Sequence, residues 1–257
     1  MDICQIAQEM RPVVYQAGEI AKRYFSDVIA ERKADCSLVT VADREIELFL
    51  KQEIEQRFPE HGVLGEEFGD HQLDNSDYIW VLDPIDGTAP FVYELPVWCI
   101  SVGLLYKKKP VLGFVYLPVV DELYWAYEGS QAHVNDRVIN VAEPCEMDRA
   151  TCIVAPSATV RGFSMQYKGR VLSFGSAAAH ICYVARGNLH GGILMRVRIW
   201  DIAASAAIMN AAGGTLRYLN NGEIEFGELI DGRKMEPFLI GQPDNVEKLS
   251  GLLVLKA

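Results

Sequence analysis

The stretch WVLDPIDGT, residues 80–88, decides how the chain is read. An apolar run that begins at Tyr78 (YIWVL, 78–82) meets two aspartates three residues apart, split by a proline and followed by Gly-Thr. A short continuous apolar run reads as a buried strand. Asp83 and Asp86 at its end can converge on one point, where two negative charges repel unless a proton or cation lies between them. Pro84 fixes the chain direction, Gly87 lets backbone N–H groups approach a bound anion, and Thr88 adds a hydroxyl for phosphate or water. The same residue types favour ordinary surface turns, so the motif alone leaves a plain turn open.

On its N-terminal side, VLGEEFG (63–69) brackets Glu66 and Glu67 with glycines, a loop from which a carboxylate can enter a crowded site. A solvated loop is the competing reading. In KADCSLVTVAD (33–43), Thr40 and Asp43 have capping-box spacing, so Asp43 serves a helix start as readily as catalysis. Downstream, IWDIAASAAIMNAAGG (199–214) places Asp201 at the head of a helix of small residues. Aspartate is a preferred helix cap, and one oxygen can cap while the other binds a metal.

Further out, Ile3, Ile6, Met10, Val13, Val14, Ala17, Ile20 and Tyr24 share a helical face over 3–25, and a second helical pattern runs from about Asp43 to Phe58. CISVGLLY (99–106), VLGFVYL (111–117) and ELYWAY (122–127) read as successive strands, the first two joined by a KKKP turn. TCIVA (151–155) and GGILM (191–195) read as strands around a helical SAAAHICYVARG (176–187). Strands and helices in both halves predict an α/β (α+β) layered fold, divided near residue 140 into segments 1–140 and 141–257.

The chain has 257 residues and a formal net charge of −11. That balance argues against nucleic acid as principal partner, although metal ions can invert the local field for an anionic substrate. The six cysteines form no C-x-x-C pair, which excludes the common zinc spacings and a disulfide-dense scaffold. The N-terminal MDICQIAQEMRPVV is interrupted by Glu9, Arg11 and Pro12 and does not read as a signal peptide. No apolar run approaches the roughly 20 residues of a membrane span. A cytoplasmic protein with reduced thiols is expected.

Oxygen ligands, several of them carboxylates, suit Mg²⁺, and paired magnesium ions suit an in-line displacement at phosphorus. DPIDGT, the preceding GEE, WDIAASAAIMNAAGG and the K-x-D-x-S-x-V-T-x-A-D segment together resemble the inositol monophosphatase family, in the family's order and over roughly the whole chain. The resemblance implies a layered αβαβα sandwich, a homodimer, lithium sensitivity and hydrolysis of a small phosphomonoester by a metal-activated water. Glu66, Asp83 and the carbonyl of Ile85 would hold one Mg²⁺, Asp83, Asp86 and Asp201 a second, and Glu66 a third, weaker one. Glu66, with Thr88 and Asp43, would orient the water, and Gly87 and Thr88 would hold the phosphate. Lys33 would sit on a loop closing over the metals, ordered by Asp35 and Ser37. Gly175, Ser176 and Ala177 would line the leaving-group pocket, with Asp86 contacting the substrate.

Two positions depart from the family. Ala89-Pro90 follow DGT, and Leu194 stands where an inositol-contacting glutamate is expected, seven residues before Asp201. Leucine accepts no hydrogen bond from a sugar hydroxyl. Arg196 and Arg198, read as alternating on one face of a strand, are candidates for an anionic or hydroxyl-rich part of the substrate. Inositol monophosphate is the family default; histidinol phosphate, 3′-phosphoadenosine nucleotides and fructose 1,6-bisphosphate stay open. A non-catalytic binding protein on the same fold is the alternative of another class.

Overall fold

The strand carrying the two aspartates is the axis of the architecture. In the computed structural model, which describes residues 2–27, 29–33, 38–73 and 76–255, it runs Tyr78–Asp86. It lies inside an eight-stranded sheet ordered Arg137–Ile139, Ala132–Val134, Glu122–Tyr127, Lys109–Leu117, Cys99–Tyr106, Tyr78–Asp86, Gly62–Gly65 and Gly69–His71. Trp80 and Leu82 pack on one face with residues of the helices Ile3–Tyr24 and Val41–Arg57; Ile79 and Val81 pack on the other with the helices Ala177–Ala185 and Ile199–Ala211. Both faces are covered, which is why the strand reads as an unbroken apolar run.

Beyond that inner helical layer lies a five-stranded sheet ordered Arg170–Leu172, Cys152–Val154, Gly192–Leu194, Phe238–Gly241 and Thr215–Tyr218. Its far side packs Ile153, Ile193 and Leu239 against Val246 and Leu249 of the helix Pro243–Ser250. Helices, sheet, helices, sheet and helix make the αβαβα order.

Two glycines set how closely the middle layer sits. A Cβ on Gly113 would lie 2.0 Å from the carbonyl oxygen of Ala204, and one on Gly103 would lie 2.7 Å from its nitrogen. The Ala-rich helix Ile199–Ala211 therefore rests on bare strand backbone. Ser101 adds a hydroxyl bond to the carbonyl of Trp200 at 3.2 Å, fixing the helix start beside the strand bearing Asp83.

Three local features differ from the sequence reading. The motif strand continues through both aspartates instead of stopping before them, with a register shift between Asp83 and Asp86. The helix at Asp201 starts two residues earlier, at Ile199. Arg196 and Arg198 do not share a strand face: the strand ends at Leu194, Arg196 takes a left-handed φ of 60°, and Arg198 is the residue before the helix. A left-handed residue reverses the chain locally and breaks the two-residue alternation. Among the described residues, no helix is long and apolar enough to cross a membrane.

Candidate active site

In a regular strand, residues three apart face opposite sides of the sheet. Asp83 pairs with Ser101 and Asp86 with Cys99, so three residues on one strand span two on its neighbour. That one-residue bulge turns Asp86 back to the side of Asp83. Pro84, with no N–H to give a ladder, lies within the shift. The Asp83 side chain accepts the N–H of Ile85 at 3.0 Å.

Asp201 enters from the third residue of its helix, where its Oδ2 accepts the N–H of Arg198 at 2.6 Å. Asp83, Asp86 and Asp201 each offer a carboxylate oxygen, all within 4.8 Å of one another. Burial, then the charges of Glu66, Asp86 and Asp201, pushes the Asp83 carboxyl well above the usual carboxylate range. Burial first and Asp86 second push Asp201 up to about 8. Asp86 rises to about 6 by burial, restrained by its bonds from Ser176, Ala178 and Ala177. Three crowded carboxylates, Asp83 and Asp86 buried and Asp201 partly so, offer only hard oxygens and fit a divalent cation that cancels their mutual repulsion.

Asp86 is held by the N-terminus of the helix Ala177–Ala185. Its Oδ2 accepts from Ser176 Oγ and from the Ala178 N–H, both at 2.6 Å, and its Oδ1 from the Ala177 N–H at 3.2 Å. Gly175, with φ of 85°, lies against Pro90: a Cβ there would meet the proline ring at 2.8 Å. The Ala89-Pro90 departure is thereby accommodated inside the short helix Thr88–Val92, whose cap Gly87 has φ of 95°.

Glu66 follows the strand Gly62–Gly65 and bonds Lys33 Nζ at 2.9 Å, while Glu67 bonds the same amine at 2.5 Å. Lys33 thus reaches the acidic loop directly; Asp35 and Ser37, expected to order its segment, lie outside the described residues. The Thr88 hydroxyl donates to the carbonyl of Ile85 at 3.3 Å. Asp43 accepts from the Thr40 N–H at 2.7 Å and the Thr40 hydroxyl at 2.6 Å, a complete capping box. Arg198 donates to the carbonyl of Gly232 and stacks its guanidinium over Trp200 at 5.5 Å. Arg196 lines a separate cavity with Ala158, Gly162 and Met195.

A cavity of about 260 Å³ adjoins the aspartates, lined by Asp86, Asp201, Gly175, Ser176, Ala177 and Leu194 among others. Glu47 was not singled out in the sequence. It is 1% exposed, and its carboxylate accepts the N–H groups of Glu67 and Phe68, each at 2.8 Å. A Cβ on Gly65 would come within 2.0 Å of it. The signal was available: Glu47 interrupts the buried helical series Ala42, Asp43, Ile46, Leu50, Ile54.

Known proteins agree with this geometry. A family model described as the inositol monophosphatase family matches residues 4–244. A fructose-1,6-bisphosphatase/inositol-1-monophosphatase of Aquifex aeolicus is 34% identical over 232 residues, covering 84% of this chain and 86% of that one. Inositol monophosphatase 3 of Solanum lycopersicum is 34% identical over 218 residues, covering 77% and 80%. The solved extragenic suppressor protein suhB from Bartonella henselae is similar with a TM-score of 0.86 and 25% identity, covering 96% of this chain and 98% of that one. The chain belongs to the inositol monophosphatase family. It is a phosphoric monoester hydrolase, a phosphatase of a metal-dependent family that acts on small phosphorylated substrates.

Proposed function

We propose that the protein is a Mg²⁺-dependent phosphomonoesterase acting on a phosphorylated polyol or sugar-like metabolite. The observation that carries this reading is the meeting of Asp83, Asp86 and Asp201, within 4.8 Å, beside a cavity of about 260 Å³. Asp83, Asp86 and Asp201 would hold one Mg²⁺; Glu66, Asp83 and the Ile85 carbonyl would hold another, with a third against Glu66. The bound metal supplies a Lewis acid for the phosphoryl oxygens and lowers the pKa of water.

The chain's own groups do the rest. The N–H groups after the bulge, at Gly87 and Thr88, donate to phosphate oxygens. Glu66, paired with Lys33 here, would hold metal and take the proton of the attacking water. Thr88 and Asp43 support that position, Asp43 through the loop-facing end of its helix. Gly175, Ser176 and Ala177, which line the cavity, would border the departing alcohol, and Asp86 would serve both metal and substrate. Arg198 is engaged by the Gly232 carbonyl and the Trp200 ring, and Arg196 lines a neighbouring cavity.

This reading carries with it a homodimer, lithium sensitivity and a cytoplasmic setting. The relatives' names span fructose-1,6-bisphosphatase and inositol monophosphatase, and Leu194 favours substrates other than inositol phosphate. The test is a Mg²⁺-dependent phosphate-release screen over inositol 1-phosphate, histidinol phosphate, 3′-phosphoadenosine 5′-phosphate and fructose 1,6-bisphosphate. One substrate preferred by kcat/KM is expected. Release that is indifferent to Mg²⁺, or absent from every compound, would overturn the reading.

A further inference from the structure

Asp86 stands opposite a cysteine across the first sheet. Cys99 is its partner on the neighbouring strand and is fully buried. Residues directly opposite each other carry their side chains on the same face. The Cys99 sulfur lies 3.4 Å from Ser176 Oγ and 3.8 Å from Asp86 Oδ2.

A serine hydroxyl has one hydrogen to give and two lone pairs to accept with. The Ser176 hydrogen goes to Asp86 Oδ2 at 2.6 Å, and one lone pair accepts the Ala179 N–H at 3.1 Å. The remaining lone pair is available to the sulfur, which makes the thiol the donor. A thiol with the ordinary pKa of about 8.5 carries its hydrogen at neutral pH. Asp86 Oδ2 already takes two short bonds, from Ser176 Oγ and the Ala178 N–H, as many as its lone pairs allow. Ser176 is therefore both the nearer acceptor and the open one.

The result is a chain of donors, Cys99 S–H to Ser176 O–H to Asp86 Oδ2, in which each bond polarises the next. Asp86 Oδ1 takes a single donor, the Ala177 N–H at 3.2 Å, and keeps a lone pair for a cation. Two places further along the strand of Cys99, Ser101 bonds the carbonyl of Trp200, the neighbour of Asp201. One strand thus braces the starts of both helices that meet at the aspartates.

Resting on the reading that Asp86 holds Mg²⁺, we propose that Cys99 is a positioning residue for the metal site: its S–H bond to Ser176 Oγ fixes that hydroxyl on Asp86 Oδ2 and leaves Oδ1 for the cation. Cys182 supplies a matched control. It is the other fully buried cysteine among the described residues and belongs to the same core cluster. Among those residues its thiol has no hydrogen-bond partner.

The test measures Mg²⁺ affinity by calorimetry, with melting temperature beside it, in the wild type, Cys99→Ala, Cys99→Ser and Cys182→Ala. The Mg²⁺ Kd should rise about threefold in Cys99→Ala, the lower end of what one neutral hydrogen bond is worth, because a thiol is a weak donor. Cys99→Ser keeps a donor at the same place and should bring the Kd back. Cys182→Ala should lower the melting temperature as Cys99→Ala does, with the Kd unchanged. An unchanged Kd in Cys99→Ala, or an equal rise in both alanine variants, would assign the thiol to packing and overturn the proposal. The infrared S–H stretch reads the same bond without any change at Cys99: one band should move between the wild type and Ser176→Ala, and no movement would also overturn it. A wild type that binds no Mg²⁺ would instead overturn the metal reading, and the proposal with it.

Discussion

Ser176 Oγ lies 2.6 Å from Asp86 Oδ2, a bond between residues 90 positions apart. The same oxygen accepts the N–H of Ala179 at 3.1 Å as the cap of its helix. One hydroxyl thus ties the helix beneath the second sheet to the carboxylate at the bulge of the first.

Ser176→Ala should act on both ends of that tie. Loss of the cap costs about 1 kcal/mol of stability. Loss of the donor to Asp86 weakens metal affinity by about tenfold. A Mg²⁺ titration of phosphate release, alongside thermal melting, checks both, and Ser176→Thr should restore both.

The metal-free protein should lose stability as pH rises. The Asp86 and Asp201 carboxyls are lifted by burial to about 6 and about 8, above the roughly 3.9 of an unfolded aspartate. The folded state therefore binds more protons than the unfolded one between about pH 4 and 8, and stability falls across that window. Saturating Mg²⁺ should flatten the fall. Melting temperature against pH, with and without chelator, reads the effect; a metal-free protein that gains stability from pH 5 to 8 would contradict it.

Glu47→Ala should damage the acidic loop without touching an aspartate. It removes the acceptor of the Glu67 and Phe68 N–H groups, both part-buried, and the loss of two such bonds costs about 1–3 kcal/mol. Glu66 loses its fixed position, so kcat should fall further than KM changes. Glu47→Gln, which keeps one acceptor oxygen, should lie between the two in both melting and rate.

Gly113→Ala should destabilise by about 1–3 kcal/mol through overpacking, because its Cβ would meet the Ala204 carbonyl at 2.0 Å. The helix must lift to admit it, carrying Asp201 away from Asp83. A lower melting temperature and a higher Mg²⁺ requirement are expected together; one without the other would separate packing from the site.

Long periodic elements were legible in the sequence. The helix expected over 3–25 is Ile3–Tyr24, and the strand 99–106 is Cys99–Tyr106, because each carries enough turns or alternations to display its period. Strands of four residues, Gly62–Gly65, Thr215–Tyr218 and Phe238–Gly241, were not read. Runs that short show no period, whether buried throughout like Gly62–Gly65 and Phe238–Gly241 or partly exposed like Thr215–Tyr218. The bulge at Pro84-Ile85 and the left-handed Arg196 escaped for a different reason: both are set by what the chain must reach. Asp83, Asp86 and Asp201 could be picked out by residue type and setting, whereas Ser176 as the holder of Asp86, and the Cys99 thiol beside it, are facts of packing with no local mark.

Seating a helix on bare glycine backbone gives this molecule a locked pole and an adjustable one. At Gly103 and Gly113 no side chain can be enlarged without cost, so the end that presents Asp201 is pinned. The loop just before that helix, from Met195 to Arg198, contains no glycine and forms part of the cavity wall through Met195 and Val197. Substitutions there can retune which alcohol departs while leaving the phosphate chemistry in register, so one scaffold can serve a succession of substrates without rebuilding its reactive centre.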